Sequence, residues 1–146
     1  MLSRFLTRKM ILRGVGLLLV TFIAIQMVPY GWNHTNPPII AEPNWDSPRT
    51  RELAKVACFD CHSNETIWPW YSNIAPVSWL SANHVDEGRD ELNFSEWPAD
   101  KIDEIVDTVL DGEMPTWDYK LLHPEARLSD PDIRALADGL RATLAR

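Results

Sequence analysis

The stretch Cys58-Phe59-Asp60-Cys61-His62 (CFDCH) decides how the rest of the sequence is interpreted. Two cysteines separated by two residues, with a histidine directly after the second, form the attachment pattern of haem c. On a tight helical turn each thiol can form a thioether with one vinyl group, and the next residue then points its imidazole at the iron. The motif therefore predicts one covalently attached haem, bound through Cys58 and Cys61, with His62 as the proximal iron ligand.

Other uses of a Cys-x-x-Cys pair fit the sequence less well. A thioredoxin-like redox pair expects an alternating strand–helix context, and no such context is predicted. A zinc site needs a second ligand pair, and the sequence contains no second Cys-x-x-Cys and no His-x-x-x-His. A chance occurrence is the third alternative. The chain has only two cysteines and both belong to this one pattern, which argues against chance.

The second axial ligand is predicted to be Met114, the one methionine that follows the N-terminal segment. It stands in Gly112-Glu113-Met114-Pro115, just after a predicted helix end, where the proline stiffens the backbone. A methionine that fills a gap in the core is the alternative role. His123 and His84 stay open as ligands, as does an open sixth position. Methionine ligation would raise the reduction potential relative to ligation by two histidines.

Capping signals and apolar spacing predict four helices, and no alternating strand pattern is found. The first runs from Ser47, which precedes Pro48 at the first helical position, to about Ala57, where it leads into the motif. The second covers Pro76–Leu92. Its residues at helical spacing are Val77, Leu80, His84 and Val85.

The third and fourth predicted helices are amphipathic. The third covers about Ala99–Leu110 and ends at Gly112, a usual helix terminator. Its apolar stripe consists of Ile102, Ile105, Val106, Val109 and Leu110. The fourth begins at Ser129. The residues it is expected to bury are Ile133, Leu136, Ala137, Leu140 and Leu144. The predicted fold class is therefore all-α, with a small helical domain over residues 47–146 whose loops could wrap a cofactor.

Residues 1–32 are predicted to be a transmembrane anchor. Gly14–Val28 has no charged residue, and extension to Ile11–Trp32 gives 22 residues, or a helix of about 33 Å. A cleaved signal peptide is the alternative, but no pair of small residues marks a cleavage site. The preceding basic residues predict a cytoplasmic N-terminus. We therefore expect a single-pass protein of the inner membrane, with a Pro-rich linker over residues 33–46 and the C-terminal domain in the periplasm.

Charge is distributed unevenly along the chain. Arg4, Arg8, Lys9 and Arg13 lie in the first 32 residues, which contain none of the 21 acidic residues. The part of the chain after residue 32, which is predicted to be exported, is therefore strongly acidic. This excludes a nucleic-acid-binding protein, because phosphate binding needs a basic surface. It favours a redox partner with a basic docking surface.

Several longer stretches resemble the haem-binding domain family of bacterial exported proteins, over nearly all of the chain beyond the anchor. They are NHTNPP (33–38), EPNWDSP (42–48), CFDCHSNETIWPWYSNIAPVSWL (58–80), GEMPTW (112–117) and LLHPEARLS (121–129). The resemblance implies a small cytochrome-c-like helical domain that binds one haem c. The order of helices and motif also resembles class I cytochromes c. In that fold the first and last helices pack crosswise, which implies that Leu53 and Val56 lie near Leu136 and Leu140.

The predicted function is one-electron transfer by a membrane-anchored monohaem c-type cytochrome, without an enzymatic activity. The alternative is a haem-based sensor or ligand-binding module with an open or weakly held sixth iron position. A peroxidase would need an acid–base residue beside peroxide, for which only His84 or His123 could serve. Carbon monoxide binding to the reduced protein would separate the sensor from the electron carrier.

Overall fold

The computed structural model describes residues 2–97 and 102–144. Within these residues the regular structure is helical, apart from an isolated bridge between Ala41 and Glu96. The α-helices are α1 (Leu2–Ile25), α2 (Pro48–Ala57), α3 (Phe59–His62), α4 (Val77–Glu91), α5 (Ile102–Leu110), α6 (Trp117–Leu122) and α7 (Asp130–Leu144), and 3₁₀ turns cover Trp70–Asn73 and Pro124–Ala126. The predicted all-α class is confirmed.

The chain forms two compact units. The first consists of Met1–His34 and Pro69–Asn83, and the second of Thr35–Trp68 and His84–Arg146. All of the predicted haem-site residues belong to the second unit.

The core of the second unit is built mainly from α2, α5 and α7, with α7 packed against both other helices. Its buried apolar side chains include Leu53, Ala54, Ala57, Val106, Val109, Leu136, Ala137 and Leu140. Gly139 permits the close approach of α7 to α2, because a Cβ at this position would collide with Oγ1 of Thr50. As expected, α2 packs against α7, and Leu53, Leu136 and Leu140 belong to one buried core. Val56 is only half-buried and lies outside this core.

The predicted helix starts agree closely with the structure. Oγ of Ser47 accepts a hydrogen bond from the Thr50 N–H at 3.2 Å, which caps α2. Oγ of Ser129 accepts one from the Asp132 N–H at 3.4 Å, and α7 follows directly. These bonds satisfy amide groups that the first turn of a helix leaves without a partner. At the other end, Gly112 has a φ of 75° just after α5, as expected of a terminating glycine.

Some details of the predicted helices differ from the structure. The predicted start of the third helix at Ala99 lies outside the described residues, and α5 is described from Ile102. The side chains of Ile102 and Leu144 are also outside the described part. Leu110 was expected in the apolar stripe but is exposed. Helix α6 occupies a region that was predicted as a loop.

Residues 35–46, predicted as a linker, pack along the second unit. The Trp45 ring centroid lies 5.3 Å from that of Phe94 and 6.2 Å from that of Phe59. The backbone N–H groups of Ile40 and Ala41 both donate to the carbonyl oxygen of Ser95, at 2.9 and 3.1 Å. Aromatic packing and backbone hydrogen bonds therefore fix this segment although it has no regular structure.

An ion pair ties the same segment to α2 and predicts an acid-sensitive contribution to stability. Both Nε and Nη2 of Arg51 donate to the Glu42 carboxylate at 2.7 Å, and Nε1 of Trp45 donates to it at 3.0 Å. Bonding to Arg51 is the main reason that the pKa of Glu42 lies below its ordinary value of 4.5. The carboxylate therefore stabilises the fold above about pH 4.5, and this contribution is lost as the pH falls through the lowered pKa.

Glu42→Gln is expected to lower the free energy of unfolding by about 1–2 kcal/mol at neutral pH, because it weakens charge-assisted hydrogen bonds. The difference from the parent protein should shrink as the pH falls below about 4.5. Urea unfolding across a pH series measures both effects. Glu52→Gln is the matched control, since Glu52 pairs with Arg49 on the exposed surface and should change stability little. An equal and pH-independent loss in both variants would contradict the prediction.

Helix α1 lies in the first unit and is shorter than the predicted anchor. It ends at Ile25, and residues 26–32 form turns, with Gly31 at a φ of 77°. The proposed helical extension to Trp32 is therefore wrong, because Pro29 and Gly31 both disfavour a continued helix. Among the described residues, no helix combines the length and the apolar character needed to cross a membrane.

A candidate haem site around Cys58, Cys61 and His62

The cysteine motif forms a short helical turn held in place by its central residues. The N–H of Cys58 donates to Ala54 at the end of α2, and the N–H of His62 donates to the carbonyl oxygen of Cys58 at 2.9 Å. Between the cysteines, Phe59 is buried and stacks on Phe94 with a centroid distance of 5.6 Å. Both cysteines are free thiols and both line a cavity. The turn thus anchors Phe59 in the core, while both thiols line the cavity and can react with a ligand bound there.

The imidazole of His62 is oriented by backbone carbonyl groups at the end of α4. Its Nδ1 atom lies 2.8 Å from the oxygen of Gly88 and 3.2 Å from that of Leu92. A carbonyl oxygen can only accept, so Nδ1 carries the ring proton and donates it. Burial lowers the pKa of His62 and keeps the ring neutral. Nε2 therefore retains a lone pair, which is the form of histidine that ligates a metal.

Gly88 explains how α4 can approach the motif so closely. A Cβ atom at this position would lie 2.6 Å from the carbonyl oxygen of Cys61 and 3.0 Å from its Cβ atom. Any side chain would therefore push the helix away from the turn. The same residue supplies the shorter of the two hydrogen bonds to His62, so one glycine controls both the spacing and the orientation of the imidazole.

Among the described residues, three adjoining cavities border the motif, with volumes of about 280, 420 and 150 Å³. All three have Ala57, Cys58 and Met114 in their walls, and His62 lines the two larger ones. The exposed surface of the two larger cavities is mostly apolar. Cavities of this size and composition suit a large, largely apolar ligand.

Met114 is brought to the site by the turn that follows α5. The N–H groups of Glu113 and Met114 both donate to the carbonyl oxygen of Thr108, at 3.0 and 3.2 Å. This turn places Met114 in the walls of the same two cavities as His62. The residue is 38% exposed, so it is not a core-filling methionine. The structure therefore brings Cys58, Cys61 and His62 together with Met114, from two segments that are far apart in the sequence.

The two other histidines considered as ligands have different surroundings. His84 lines the smaller of the two main cavities, and its Nε2 lies 3.7 Å from Oδ2 of Asp118. His123 does not line any of the three cavities. Its Nδ1 lies 3.1 Å from Oε1 of Glu125, and its ring stacks on Tyr119 at a centroid distance of 4.1 Å. The geometry thus favours Met114 over His123 as the distal ligand. Of the two histidines, only His84 lines one of the three cavities.

Sequence reasoning missed two polar side chains that support the site. Nε of Arg89 donates to the carbonyl oxygen of Ser63 at 2.9 Å, and its Nη2 donates to Oγ1 of Thr66 at 2.9 Å. The hydroxyl of Tyr119 donates to Asp60 at 2.7 Å, and burial raises the pKa of this tyrosine. All three bonds connect residues distant in sequence, so no local pattern signals them. They fix the motif turn and the loop that follows it.

The protonation of the thiols distinguishes the possible uses of the cysteine pair. Burial raises the pKa of Cys58 to about 12 and that of Cys61 to about 11. A thioredoxin-like redox pair needs a reactive thiolate, which these surroundings disfavour. Within the described residues, no cluster of three or more histidine, cysteine, aspartate or glutamate side chains could hold a metal ion. Thioether sulfur is neutral and fits this apolar environment.

The fold and the site together define a small all-helical protein with an apolar cofactor cavity beside a neutral histidine. The chain matches the haem-binding domain family over residues 20–142 and belongs to that family. The residues at the site fit a haem, because they combine an apolar cavity, a histidine with a free lone pair and neutral thiols. In the corresponding comparisons, no curated protein and no solved structure matches the chain.

Proposed function

We propose that this haem-binding protein is a membrane-anchored monohaem c-type cytochrome that transfers single electrons. In this proposal Cys58 and Cys61 hold the haem through thioethers, His62 is the proximal ligand and Met114 the distal ligand. The observation that carries it is the placement of His62 and Met114 in the walls of one cavity with both cysteines, and of a second cavity with Cys58. The helical order of a cytochrome-c-like domain, with α2 and α7 in contact, agrees with it.

A bound haem supplies one-electron chemistry, in which iron alternates between the ferric and ferrous states. The protein contributes orientation and an apolar surrounding. The Gly88 carbonyl group holds the His62 ring through Nδ1 and increases the electron density at the opposite nitrogen. Met114 would provide a soft thioether, which favours the reduced iron relative to a second histidine. No residue needs to act as a catalytic acid or base, so we assign no enzymatic reaction.

Acidic residues around the cavities support a partner with a basic docking surface. Glu87 and Glu91 line the smaller main cavity, and Glu91 and Glu104 line the larger one. An electron transfer partner must approach close to the haem, and complementary charge accelerates such encounters. The association rate should therefore decrease as the salt concentration increases.

We also propose that α1 attaches the protein to the inner membrane and that the second unit lies on the periplasmic side. The apolar side chains of α1 are exposed around the helix, and Leu17, Leu18, Val20 and Ile23 are each more than 60% exposed. Exposure of these apolar side chains to water is unfavourable, and their burial in lipid is favourable. Arg8, Lys9 and Arg13 precede the uncharged part and favour a cytoplasmic N-terminus. Cleavage as a signal peptide is the alternative.

A haem-based sensor is the second candidate, and the exposure of Met114 on a turn is the observation in its favour. Carbon monoxide separates the two functions when it is added to the reduced holoprotein, expressed in cells that attach haem c. Slow or absent binding is expected for an electron carrier whose sixth position is held by Met114. Immediate stoichiometric binding would favour the sensor.

Two further measurements on the same holoprotein test other parts of the proposal. A pyridine haemochrome without a c-type spectrum would contradict covalent attachment. Turnover of peroxide with a reductant would indicate a peroxidase.

A further inference from the structure

Most of the first unit is built from sequence that carries no formal charge. Residues 14–41 and 66–85 contain no aspartate, glutamate, lysine or arginine. Charged residues form 24% of the whole chain, so a stretch of this length would ordinarily contain several. The first stretch consists of the uncharged part of α1 and the segment that follows it. The second stretch lies outside the proposed membrane helix, and its lack of charge therefore needs a separate explanation.

Part of the second uncharged stretch presents apolar side chains to the outside. Its exposed apolar side chains within the first unit, which we call the apolar patch, are Trp70 (76% exposed), Ile74 (37%), Val77 (38%) and Leu80 (48%). In the same stretch, Ser78 and Ala82 are buried. Helix α4 thus begins with its apolar side chains outward and small side chains inward, the reverse of a helix that faces water. Exposed apolar patches of this kind mark interaction surfaces.

The apolar patch is joined to the end of α1 within the first unit. The side chain of Gln26 makes two hydrogen bonds with the backbone of Ala75, accepting from its N–H at 2.9 Å and donating to its oxygen at 3.0 Å. The His34 Nε2 atom lies 3.0 Å from the carbonyl oxygen of Ser72. Gly31 has a positive φ, and a Cβ there would lie 2.6 Å from the oxygen of Ser78. Three contacts therefore hold the patch segment against the chain that leaves α1.

We propose that the apolar patch inserts into the headgroup–acyl boundary of the bilayer that α1 enters, so that the first unit is a two-part membrane anchor. The inference rests on the proposed membrane attachment of α1. Tyr30 and Trp32, in the connecting segment, are also exposed, and aromatic residues favour this boundary. Lipid explains the lack of charge, the aromatic content and the continuity with α1 together. A protein partner would also account for exposed apolar and aromatic side chains, but not for their continuity with α1.

Photo-cross-linking to lipid tests the inference on the full-length holoprotein. The protein is reconstituted in vesicles of phosphatidylcholine and phosphatidylglycerol that contain a diazirine-bearing phosphatidylcholine, and adducts are mapped by mass spectrometry. Lipid adducts are expected on α1 and on peptides that contain Trp70–Leu80. The double variant Trp70→Ser/Leu80→Ser should lose most adducts in the patch and retain those on α1. The haem absorption spectrum confirms that each variant is folded.

The matched control is Leu121→Ser/Leu122→Ser, which changes two exposed apolar residues of the second unit (63% and 55% exposed). It should leave the adduct pattern unchanged. Adducts on α1 without any in the patch would overturn the inference while membrane attachment stands. No adducts on either segment would show that the membrane attachment itself is wrong.

Discussion

Covalently bound haem is expected to disappear completely when both Cys58 and Cys61 are replaced by serine. The two thiols are the only cysteines in the chain, and both line the cavity beside His62. Serine cannot form the thioether, so any remaining haem would be held by the iron ligands and the apolar walls alone. Haem staining after denaturing electrophoresis, together with a pyridine haemochrome, measures the loss in cells that attach haem c to the parent protein.

The single variants Cys58→Ser and Cys61→Ser provide the internal comparison. Each should keep one thioether and therefore retain covalent haem, in lower yield and with a haemochrome band shifted to longer wavelength because one vinyl group stays free. We also expect lower stability of the double variant, since a loosely held cofactor fills the cavity less firmly. Covalent haem in the double variant would disprove attachment at these residues.

Replacement of Met114 by alanine is expected to lower the reduction potential by on the order of 0.1 V and to open the iron to carbon monoxide. The thioether stabilises the ferrous state, and its removal leaves water or a histidine at the sixth position. The weak far-red absorption band of a methionine–iron bond in the oxidised protein should disappear. A spectroelectrochemical titration measures the potential, and carbon monoxide difference spectra measure access to the iron.

Met27→Ala is the matched control for this prediction. Met27 is a methionine of the first unit, 77% exposed, and it does not line the haem-site cavities. Its replacement should leave the potential, the far-red band and carbon monoxide binding unchanged. If Met114→Ala behaves like the control, Met114 is not the ligand. His84→Ala is then the decisive variant, because His84 lines the cavity of about 280 Å³, whereas His123 lines none of the three cavities.

Features encoded by neighbouring residues were predictable from the sequence. The haem motif, the caps at Ser47 and Ser129 and the terminating Gly112 are each recognised within a few residues, and the structure bears out the helix ends. The buried face of α7 followed from apolar spacing, with Leu136, Ala137 and Leu140 in the core. Family membership was also recognisable, since the matching stretches are long.

The outward orientation of Val77 and Leu80 could not be read from the same spacing. Periodicity shows that these residues share one side of a helix but does not say which side faces the core. In α4 the buried side carries Ser78, Ala82 and Val85. Contacts between segments far apart in the chain fix this orientation, since Gln26 bonds the backbone of Ala75 just before α4 and Gly31 lies against the backbone of Ser78 in its first turn.

The sequence by itself indicated a haem cofactor, the two cysteines that we propose attach it and the order of α2, α4, α5 and α7. Only the tertiary structure decided how the site is assembled, because its parts come from separate segments. The bonds of Gly88 with His62, of Arg89 with Ser63 and of Tyr119 with Asp60 all join residues far apart in the chain. Met114 likewise meets Cys58 and His62 only because packing places the turn after α5 beside the motif. Local patterns arise from interactions between neighbours, whereas a cofactor cavity depends on how packed helices meet.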